Sequence, residues 1–151
     1  MVADGLKALA GIEDWTAAGP RILTPHPGEM ARLTGLGTDE VQADRVGVAR
    51  AFAIQKRVTL VLKGHRTVIA LPNGEVYVNP SGTPALATGG TGDILTGMIA
   101  GLCAQFPVYR DEAVVAAVWL HGRAGRGIES HLHADPRVFP ARLSRRSLPP
   151  R

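Results

Sequence analysis

The residues of this sequence best suited to chemistry lie in a glycine-rich stretch that runs into an apolar helical pattern, residues 87–102. Gly89, Gly90 and Gly92 allow backbone conformations closed to other residues and let backbone N–H groups approach a ligand closely. The helix predicted to follow leaves its first N–H groups unpaired, with a partial positive charge behind them. The stretch therefore predicts a site for an anion such as phosphate.

Asp93 stands where a P-loop would carry its lysine, and no Gly-Lys-Ser/Thr ending is present. A carboxylate repels a phosphate beside it, so a purely binding loop would gain nothing from this residue. In a phosphoryl-transfer site the carboxylate can accept a proton from the attacking hydroxyl, while amides and a metal ion take up charge on the transferred group. The alternative is a flexible turn in which Asp93 is only a helix N-cap.

The wider segment, residues 77–93, favours the first interpretation. It resembles the ribokinase-like superfamily, and within it the NAD(P)H-hydrate dehydratases, through Gly-Thr-Pro at residues 82–84 and Ala-Thr-Gly-Gly-Thr-Gly-Asp at residues 87–93. Thr83 stands where the family usually has asparagine, which keeps a polar group but loses an amide.

His26 lies in the string Thr-Pro-His-Pro-Gly-Glu, residues 24–29, directly after a predicted strand at residues 21–24. The two prolines fix its backbone at the strand's end, where ligands bind in open parallel sheets. Alone, such a histidine is more often surface or structural than functional. The whole string is similar to the dehydratase signature, and this resemblance implies that His26 contacts the hydrated nicotinamide substrate. Glu29 could be no more than a first-turn acid that favours the helix dipole.

Lys63 follows a continuous apolar stretch, residues 58–62, that predicts a strand buried on both faces. Its charge could pair with a ligand or an acid, or it could be a solvated lysine at a strand end. Lys63, Gly64, His65, Arg66 and Thr67 resemble the Lys-Gly-x-x-Thr segment that wraps the adenine nucleotide in the dehydratase family. Arg66 is a further candidate for neutralising phosphate.

The resemblance implies a reaction that repairs hydrated NADH and NADPH. ADP phosphorylates the ring hydroxyl, and phosphate then leaves and restores the double bond. The resemblance implies that Asp93 is the catalytic base and also contacts the substrate. It implies an anion hole formed by Gly90, Thr91 and Gly92, of which Gly92 also contacts the nucleotide. The nucleotide clamp would be residues 63–67. Magnesium is expected with the nucleotide, although no protein side chain is assigned as a metal ligand.

Composition limits the class of protein. The chain has 151 residues, 45% of them apolar, and can bury one core. Its formal charge of +4 could suggest nucleic acid, but the arginines crowd the C-terminal end and form no stripe with aromatic residues. Cys103 is the single cysteine, which favours a reducing compartment, and no leader or spanning segment is expected. A cytoplasmic protein that binds neither nucleic acid nor membrane is predicted.

The predicted fold is α/β, a ribokinase-like doubly wound sandwich that lacks its N-terminal portion. Periodicity and turn signals predict a helix that stops at Gly35, a hairpin over residues 68–78, and helices over residues 93–106 and 111–124. They also predict a helix over residues 38–57, whose apolar face consists of Val41, Val48, Ala51, Phe52 and Ile54. His121, in the last of these helices, is interpreted as structural.

The two ends of the chain depart from the family pattern. Residues 2–11 resemble the end of a family strand and the helix after it, which places Met1 inside a domain; Asp4 is interpreted as a helix cap. The partial domain is predicted to span residues 1–130, with an irregular or disordered tail at 131–151 in which His131 and His133 are polar surface. We therefore expect a homo-oligomer or association with a missing N-terminal portion.

The sequence leaves two rival functions open. A different ribokinase-like kinase, such as one acting on a vitamin precursor, would share the anion hole but not residues 24–29 in this form. A non-catalytic fragment or associating subunit would fit the short N-terminus and the unusual tail.

Overall fold

The computed structural model describes residues 20–132, and of residues 128–132 it describes the backbone alone. The predictions for residues 1–19 and for 133–151, including Asp4 and His133, lie outside the described residues. The chain divides into two compact units, Met1–Asn79 and Pro80–Arg151, which are described in turn.

The described part of the first unit, residues 20–79, is a four-stranded mixed sheet with helices between β1 and β2. In chain order its elements are β1 (Ile22–Leu23), α1 (Pro27–Thr34), α2 (Thr38–Ala43), α3 (Arg45–Lys56), β2 (Thr59–Leu62), β3 (Val68–Ala70) and β4 (Val76–Val78). The strand order is β1-β2-β3-β4, with β1 parallel to β2 and the other neighbours antiparallel. A parallel β1–β2 pair with helices in its connection is the βαβ arrangement of doubly wound folds.

The core of this unit lies between one face of the sheet and its helices. Leu60 and Leu62 alternate along β2 toward the helices, as the two-residue period of a strand requires. Their partners from the helices and neighbouring strands are Leu23, Met30, Val41, Ala49, Phe52, Ala53, Val68 and Ala70. Val61 is also buried, so β2 is covered on both faces as its continuous apolar sequence predicts.

The predicted hairpin is confirmed. The amide of Gly74 donates to the carbonyl of Leu71 at 2.9 Å, and the amide of Leu71 donates to that of Glu75 at 2.9 Å. Gly74 has a φ of 90°, which explains why this turn carries glycine.

The single helix predicted over residues 38–57 is wrong in one respect, because the structure breaks it at Asp44. The Asp44 side chain accepts a hydrogen bond from the Gly47 amide at 2.8 Å and so caps α3. The predicted apolar face is also only partly right. Ala51 is exposed and Ile54 is 48% exposed, since the buried positions of α3 are Ala49, Phe52 and Ala53.

The described part of the second unit, residues 80–132, consists of two helices and two short 3-10 turns. The turns are Pro84–Leu86 and Pro107–Tyr109, and the helices are α4 (Thr91–Gln105) and α5 (Arg110–Leu132). α4 packs on α5 through buried apolar side chains that include Leu95, Ile99, Val114, Ala117 and Val118. α5 continues to Leu132, beyond the predicted helix end near residue 124 and the predicted domain boundary at residue 130.

None of the helices in the described part of the chain has the length and apolar character needed to cross a membrane.

Candidate functional site

His26 forms the N-terminal cap of α1, at the end of β1. Its Nδ1 accepts a hydrogen bond from the Glu29 amide at 3.2 Å, and the Glu29 Oε2 accepts one from the His26 amide at 2.7 Å. This reciprocal pair is a capping box with histidine in the place of serine or threonine. Because Nδ1 accepts, the neutral ring carries its proton on Nε2, which lies on a side chain that is 51% exposed. The ring is therefore fixed by α1 and half-exposed, with its Nε2 3.7 Å from the Glu29 Oε1.

Glu29 is more than a first-turn acid. It is only 4% exposed, and its Oε2 lies 3.9 Å from the Lys63 Nζ. A buried carboxylate needs hydrogen bonds and a positive charge nearby, and the His26 amide and Lys63 supply both. Glu29 thus joins the His26 cap to the lysine after β2. The signal available in the sequence was an acid at the third helical position combined with a lysine at the end of a neighbouring parallel strand.

The segment from Lys63 to Thr67 is fixed at both ends and exposed in its middle. The Lys63 amide donates to the Pro25 carbonyl at 2.8 Å, and the Asn79 amide donates to the Thr67 carbonyl at 2.9 Å. The Thr67 hydroxyl donates to the Gly64 carbonyl at 3.2 Å. Between these anchors, Gly64, His65 and Arg66 are exposed.

Two residues of this segment have left-handed backbone conformations, with φ of 137° at Gly64 and 53° at Arg66. Positive φ is uncommon outside glycine and persists when surrounding contacts impose it. One such contact was not predicted from the sequence. The guanidinium of Arg45, at the start of α3, donates to the carbonyls of Leu62 and Lys63 at 3.0 and 3.1 Å and also to that of His65.

In the second unit, the glycine turn before α4 is held by Thr91. This residue is 6% exposed, and its hydroxyl lies 2.6 Å from the Leu86 carbonyl and 2.8 Å from the Thr88 carbonyl. Gly90, the cap residue of α4, has a φ of 88°. The buried Thr91 hydroxyl therefore fixes the conformation of this turn, which is not a flexible one.

Of the four amides from Gly90 to Asp93, which include the predicted anion hole of Gly90, Thr91 and Gly92, two are engaged and two are open. The Thr91 amide bonds to the Thr88 carbonyl at 3.4 Å, and the Asp93 amide bonds to the Gly90 carbonyl at 3.1 Å. The amides of Gly90 and Gly92 donate to no carbonyl within the described residues. These two N–H groups, at the positive end of α4, are the ones an anion could use.

Asp93 is not the helix cap. Gly90 is the cap residue, and Asp93 is the third residue of α4, exposed to solvent. Its carboxylate makes no hydrogen bond or ion pair with the rest of the described chain. The capping interpretation of Asp93 is therefore wrong, and its carboxylate is exposed in the first turn of α4.

Thr83 caps the first 3-10 turn, since its hydroxyl accepts a hydrogen bond from the Ala85 amide at 3.2 Å. Threonine and asparagine are both good caps, so the replacement of the family's usual asparagine keeps this function.

His121 lies beneath the glycine turn. It is 9% exposed, and burial lowers its pKa, while a hydrogen bond with the Thr91 backbone opposes this in part. Its Nε2 is buried and has no hydrogen-bond partner within the described residues. His121 thus supports the first residue of α4 as a neutral ring, in agreement with the structural role expected from the sequence.

Gly122 and Gly125 allow the segment before α4 to lie against α5. A Cβ at Gly122 would lie 2.2 Å from the Ser81 Oγ, and one at Gly125 would lie 2.6 Å from the Leu86 Cγ. The Ser81 hydroxyl donates to the Trp119 carbonyl at 3.0 Å. Side chains at these two positions would displace the chain that leads into the glycine turn.

The predicted site residues fall into two groups. His26 and residues 63–67 belong to the first unit, where Glu29 links them; Gly90, Thr91, Gly92 and Asp93 belong to the second unit.

A family model described as NAD(P)H-hydrate dehydratase matches residues 1–147. The chain belongs to the NAD(P)H-hydrate dehydratase family.

Relatives of this family are close in sequence. The ADP-dependent (S)-NAD(P)H-hydrate dehydratase of Bacillus subtilis is 52% identical over 106 residues, which are 69% of this chain and 37% of that protein. The bifunctional NAD(P)H-hydrate repair enzyme of Moorella thermoacetica is 49% identical over 125 residues, or 82% of this chain and 23% of that protein. The chain thus spans between about a quarter and somewhat over a third of the length of these relatives.

Solved structures agree with the family's fold. A crystal structure of the ADP/ATP-dependent NAD(P)H-hydrate dehydratase from Bacillus subtilis, co-crystallised with ATP and Mg²⁺ and soaked with CoA, has a TM-score of 0.67 at 50% identity and covers 70% of this chain and 38% of that one. A ribokinase-like superfamily protein from Enterococcus faecalis has a TM-score of 0.71 at 32% identity, covering 84% of this chain and 43% of the other. The predicted ribokinase-like α/β fold, present in part, is confirmed.

Proposed function

We propose that the chain takes part in the ADP-dependent dehydration of hydrated NADH and NADPH. ADP transfers a phosphoryl group to the ring hydroxyl, which leaves AMP, and inorganic phosphate is then eliminated to restore the reduced nicotinamide. Hydroxide is a poor leaving group and phosphate a good one, so phosphorylation makes the loss of water feasible. Membership in the family and the relatives' names support this proposal.

The observation that carries the proposal is the exposed Asp93 carboxylate at the start of α4, in the residue that follows Gly92, whose amide donates to no carbonyl within the described residues. A carboxylate with no structural partner can accept the proton of the attacking hydroxyl. The amides of Gly90 and Gly92 can stabilise charge on the transferred phosphoryl group. Asp93 is thus assigned as the general base.

The nucleotide is assigned to Lys63 and the exposed segment that follows it. A lysine ammonium binds phosphate as a compact charge, and Arg66 adds a second cation in the same segment. His26 is assigned to the hydrated nicotinamide ring, to which its Nε2–H could donate a hydrogen bond. Glu29 would then set the position of both His26 and Lys63.

Magnesium fits this arrangement as a companion of the nucleotide. The described residues contain no group of three or more potential protein ligands for a metal ion. Magnesium bound to nucleotide phosphates usually keeps several waters and uses few protein ligands, so no protein side chain is assigned to it. When bound, the ion would neutralise charge on the phosphates.

The partners of the proposed reaction are small molecules, namely the hydrated dinucleotide and ADP. A reducing compartment such as the cytoplasm, expected from the single cysteine, belongs to the same proposal, as does self-association or association with the segments found in longer relatives.

The test is an assay of the full 151-residue chain with hydrated NADH, ADP and magnesium, following the return of NADH absorbance. We expect turnover that depends on ADP, together with ADP binding by calorimetry that weakens about tenfold or more in Lys63→Ala, since hydrogen bonds to charged groups contribute about 1.5–3 kcal/mol. Arg50→Ala, at an exposed position of α3, is the control. Phosphorylation of thiamine precursors in place of NADH recovery would support the rival kinase, and absence of both would support a non-catalytic subunit.

A further inference from the structure

Arg45 holds an unusual position for a cation, because its guanidinium bonds to carbonyls and not to an acid. Its Nη2 donates to the carbonyls of Leu62 and Lys63 at 3.0 and 3.1 Å, and its Nη1 donates to that of His65. No acidic side chain lies within ion-pair distance of it in the described chain. Partial burial lowers its pKa, yet arginine stays protonated at neutral pH. One planar cation thus gathers three carbonyls at the C-terminal end of β2.

The bonds to Lys63 and His65 fix where the next amides point. In a trans peptide the carbonyl of one residue and the N–H of the next lie on opposite sides of the chain. Since the carbonyls of Lys63 and His65 face Arg45, the amides of Gly64 and Arg66 face away from it. Neither amide has a backbone acceptor within the described residues. The segment therefore presents two open N–H groups on the side opposite the guanidinium.

The conformation of this segment requires glycine at position 64. A Cβ at this position would lie 3.0 Å from the Arg45 Nη2, and its φ of 137° is closed to other residues without strain. The left-handed conformation of Arg66, which no glycine eases, is held in the same way by the bond from Arg45 to the preceding carbonyl.

We propose that Arg45 is a positioning residue for the nucleotide: it draws the carbonyls of residues 62, 63 and 65 together and thereby presents the Gly64 and Arg66 amides to the phosphates of ADP. This role rests on the proposed function for the identity of the ligand, but not for the conformation of the segment. Arg45 does not touch the nucleotide. Its planar fork reaches three separate oxygens, which the single nitrogen of lysine cannot do in the same geometry.

The conformational arm of the test needs no ligand. The amides of Lys63 and Asn79 bond at the two ends of the segment, to Pro25 and Thr67, and report its opening by hydrogen exchange in NMR. In the full chain we expect Arg45→Lys and Arg45→Gln to speed exchange at both amides about tenfold, as loss of a hydrogen bond to a charged group implies. Arg50→Lys and Arg50→Gln on the same helix should leave both rates unchanged. Unchanged exchange in the Arg45 variants would overturn the proposal.

The ligand arm measures ADP affinity by calorimetry under conditions in which each variant is folded. We expect both Arg45 variants to bind ADP about tenfold more weakly, with Arg50 variants unaffected. Unchanged ADP affinity in Arg45→Lys would show that only the charge of Arg45 matters. Unchanged ADP affinity in both variants would show that Arg45 is merely structural. Either result would overturn the proposal. If the unsubstituted chain bound no ADP, the nucleotide role would fall together with the proposed function, while the exchange rates would still decide whether Arg45 sets the conformation.

Discussion

The carboxylate of Glu29 and the ammonium group of Lys63 lie 3.9 Å apart, the first almost fully buried and the second 28% exposed. The same carboxylate oxygen accepts the His26 amide at 2.7 Å. One buried charge therefore links the cap of α1 to the residue that begins the nucleotide segment. A change at Glu29 should reach both His26 and Lys63, although each belongs to a different motif in the sequence.

Glu29→Gln should lower the free energy of unfolding by about 1–2 kcal/mol, because it removes a charged acceptor of the capping box and the partner of Lys63. Urea denaturation measures this loss. Glu40→Gln is a matched control, since Glu40 accepts the Gly37 amide at 2.6 Å in the equivalent position of α2 but is exposed. We expect a loss of only a few tenths of a kcal/mol there. Equal losses in the two variants would mean that burial and Lys63 contribute nothing at Glu29.

Gly64→Ala should destabilise the chain by about 1–3 kcal/mol, because alanine is strained at a φ of 137° and its Cβ would lie 3.0 Å from the Arg45 guanidinium. Gly97→Ala should stabilise it by about 0.5–1 kcal/mol, since Gly97 is in α4 and a Cβ there meets no atom of the described residues within 4 Å. Thermal melting of both variants gives the comparison. A stabilising Gly64→Ala would show that the segment relaxes freely.

The sequence predicted most elements of the fold, and the reason differs from one to another. The hairpin around Gly74 and the end of α1 at Gly35 were visible because glycine at positive φ leaves a local signal. The break at Asp44 was missed because an apolar period of 3.6 continues across it, and only the side-chain bond to Gly47 ends the first helix. The hydrogen bonds of Arg45 could not be predicted, since their acceptors are backbone carbonyls, which every residue carries.

The candidate site was predicted from motifs, not from geometry. His26, the segment after Lys63 and the turn before Asp93 were each recognised by their strings, and their roles remain predictions. The burial of Glu29 and the contact of His121 with Thr91 depend on which elements lie side by side, and no local pattern encodes this.

Acidification should destabilise the chain through His121. Burial lowers the folded pKa of His121 below its unfolded value near 6.5, so the unfolded state binds more protons in mildly acidic solution. The stability due to the neutral ring is complete above the unfolded pKa and is lost as the pH falls through the folded pKa. We expect the free energy of unfolding to decrease by up to about 1.4 kcal/mol per pH unit in that window. Urea denaturation from pH 5 to 8 should show a flatter curve for His121→Asn than for the unsubstituted chain, and an equal slope in both would contradict this expectation.

The chain should self-associate through exposed apolar side chains. Tyr77 and Val78 are 42% and 49% exposed on β4, an edge strand of the described sheet, and Val108 is 86% exposed in the second 3-10 turn. Edge strands and exposed apolar residues favour association. Sedimentation should show species larger than a monomer, reduced by Val78→Lys or Val108→Glu but not by Ala104→Glu at an exposed helical position. A compact monomer at all concentrations would contradict this expectation.

Asp93→Asn should separate stability from catalysis. Asp93 is an exposed acid in the first turn of α4 with no side-chain partner in the described residues, so its loss removes only a helix-dipole interaction of about 0.3–1 kcal/mol. The change removes the proposed proton acceptor and a negative charge near the phosphates. ADP binding should persist or tighten, while turnover of hydrated NADH falls by about 100- to 10,000-fold. Glu112→Gln is the matched control, because Glu112 is an exposed acid in the first turn of α5 and should cost similar stability with no loss of turnover. Dehydration rates at saturating ADP and magnesium, measured together with melting curves, test whether Asp93 accepts the proton. Near-normal turnover in folded Asp93→Asn would mean that another group accepts it.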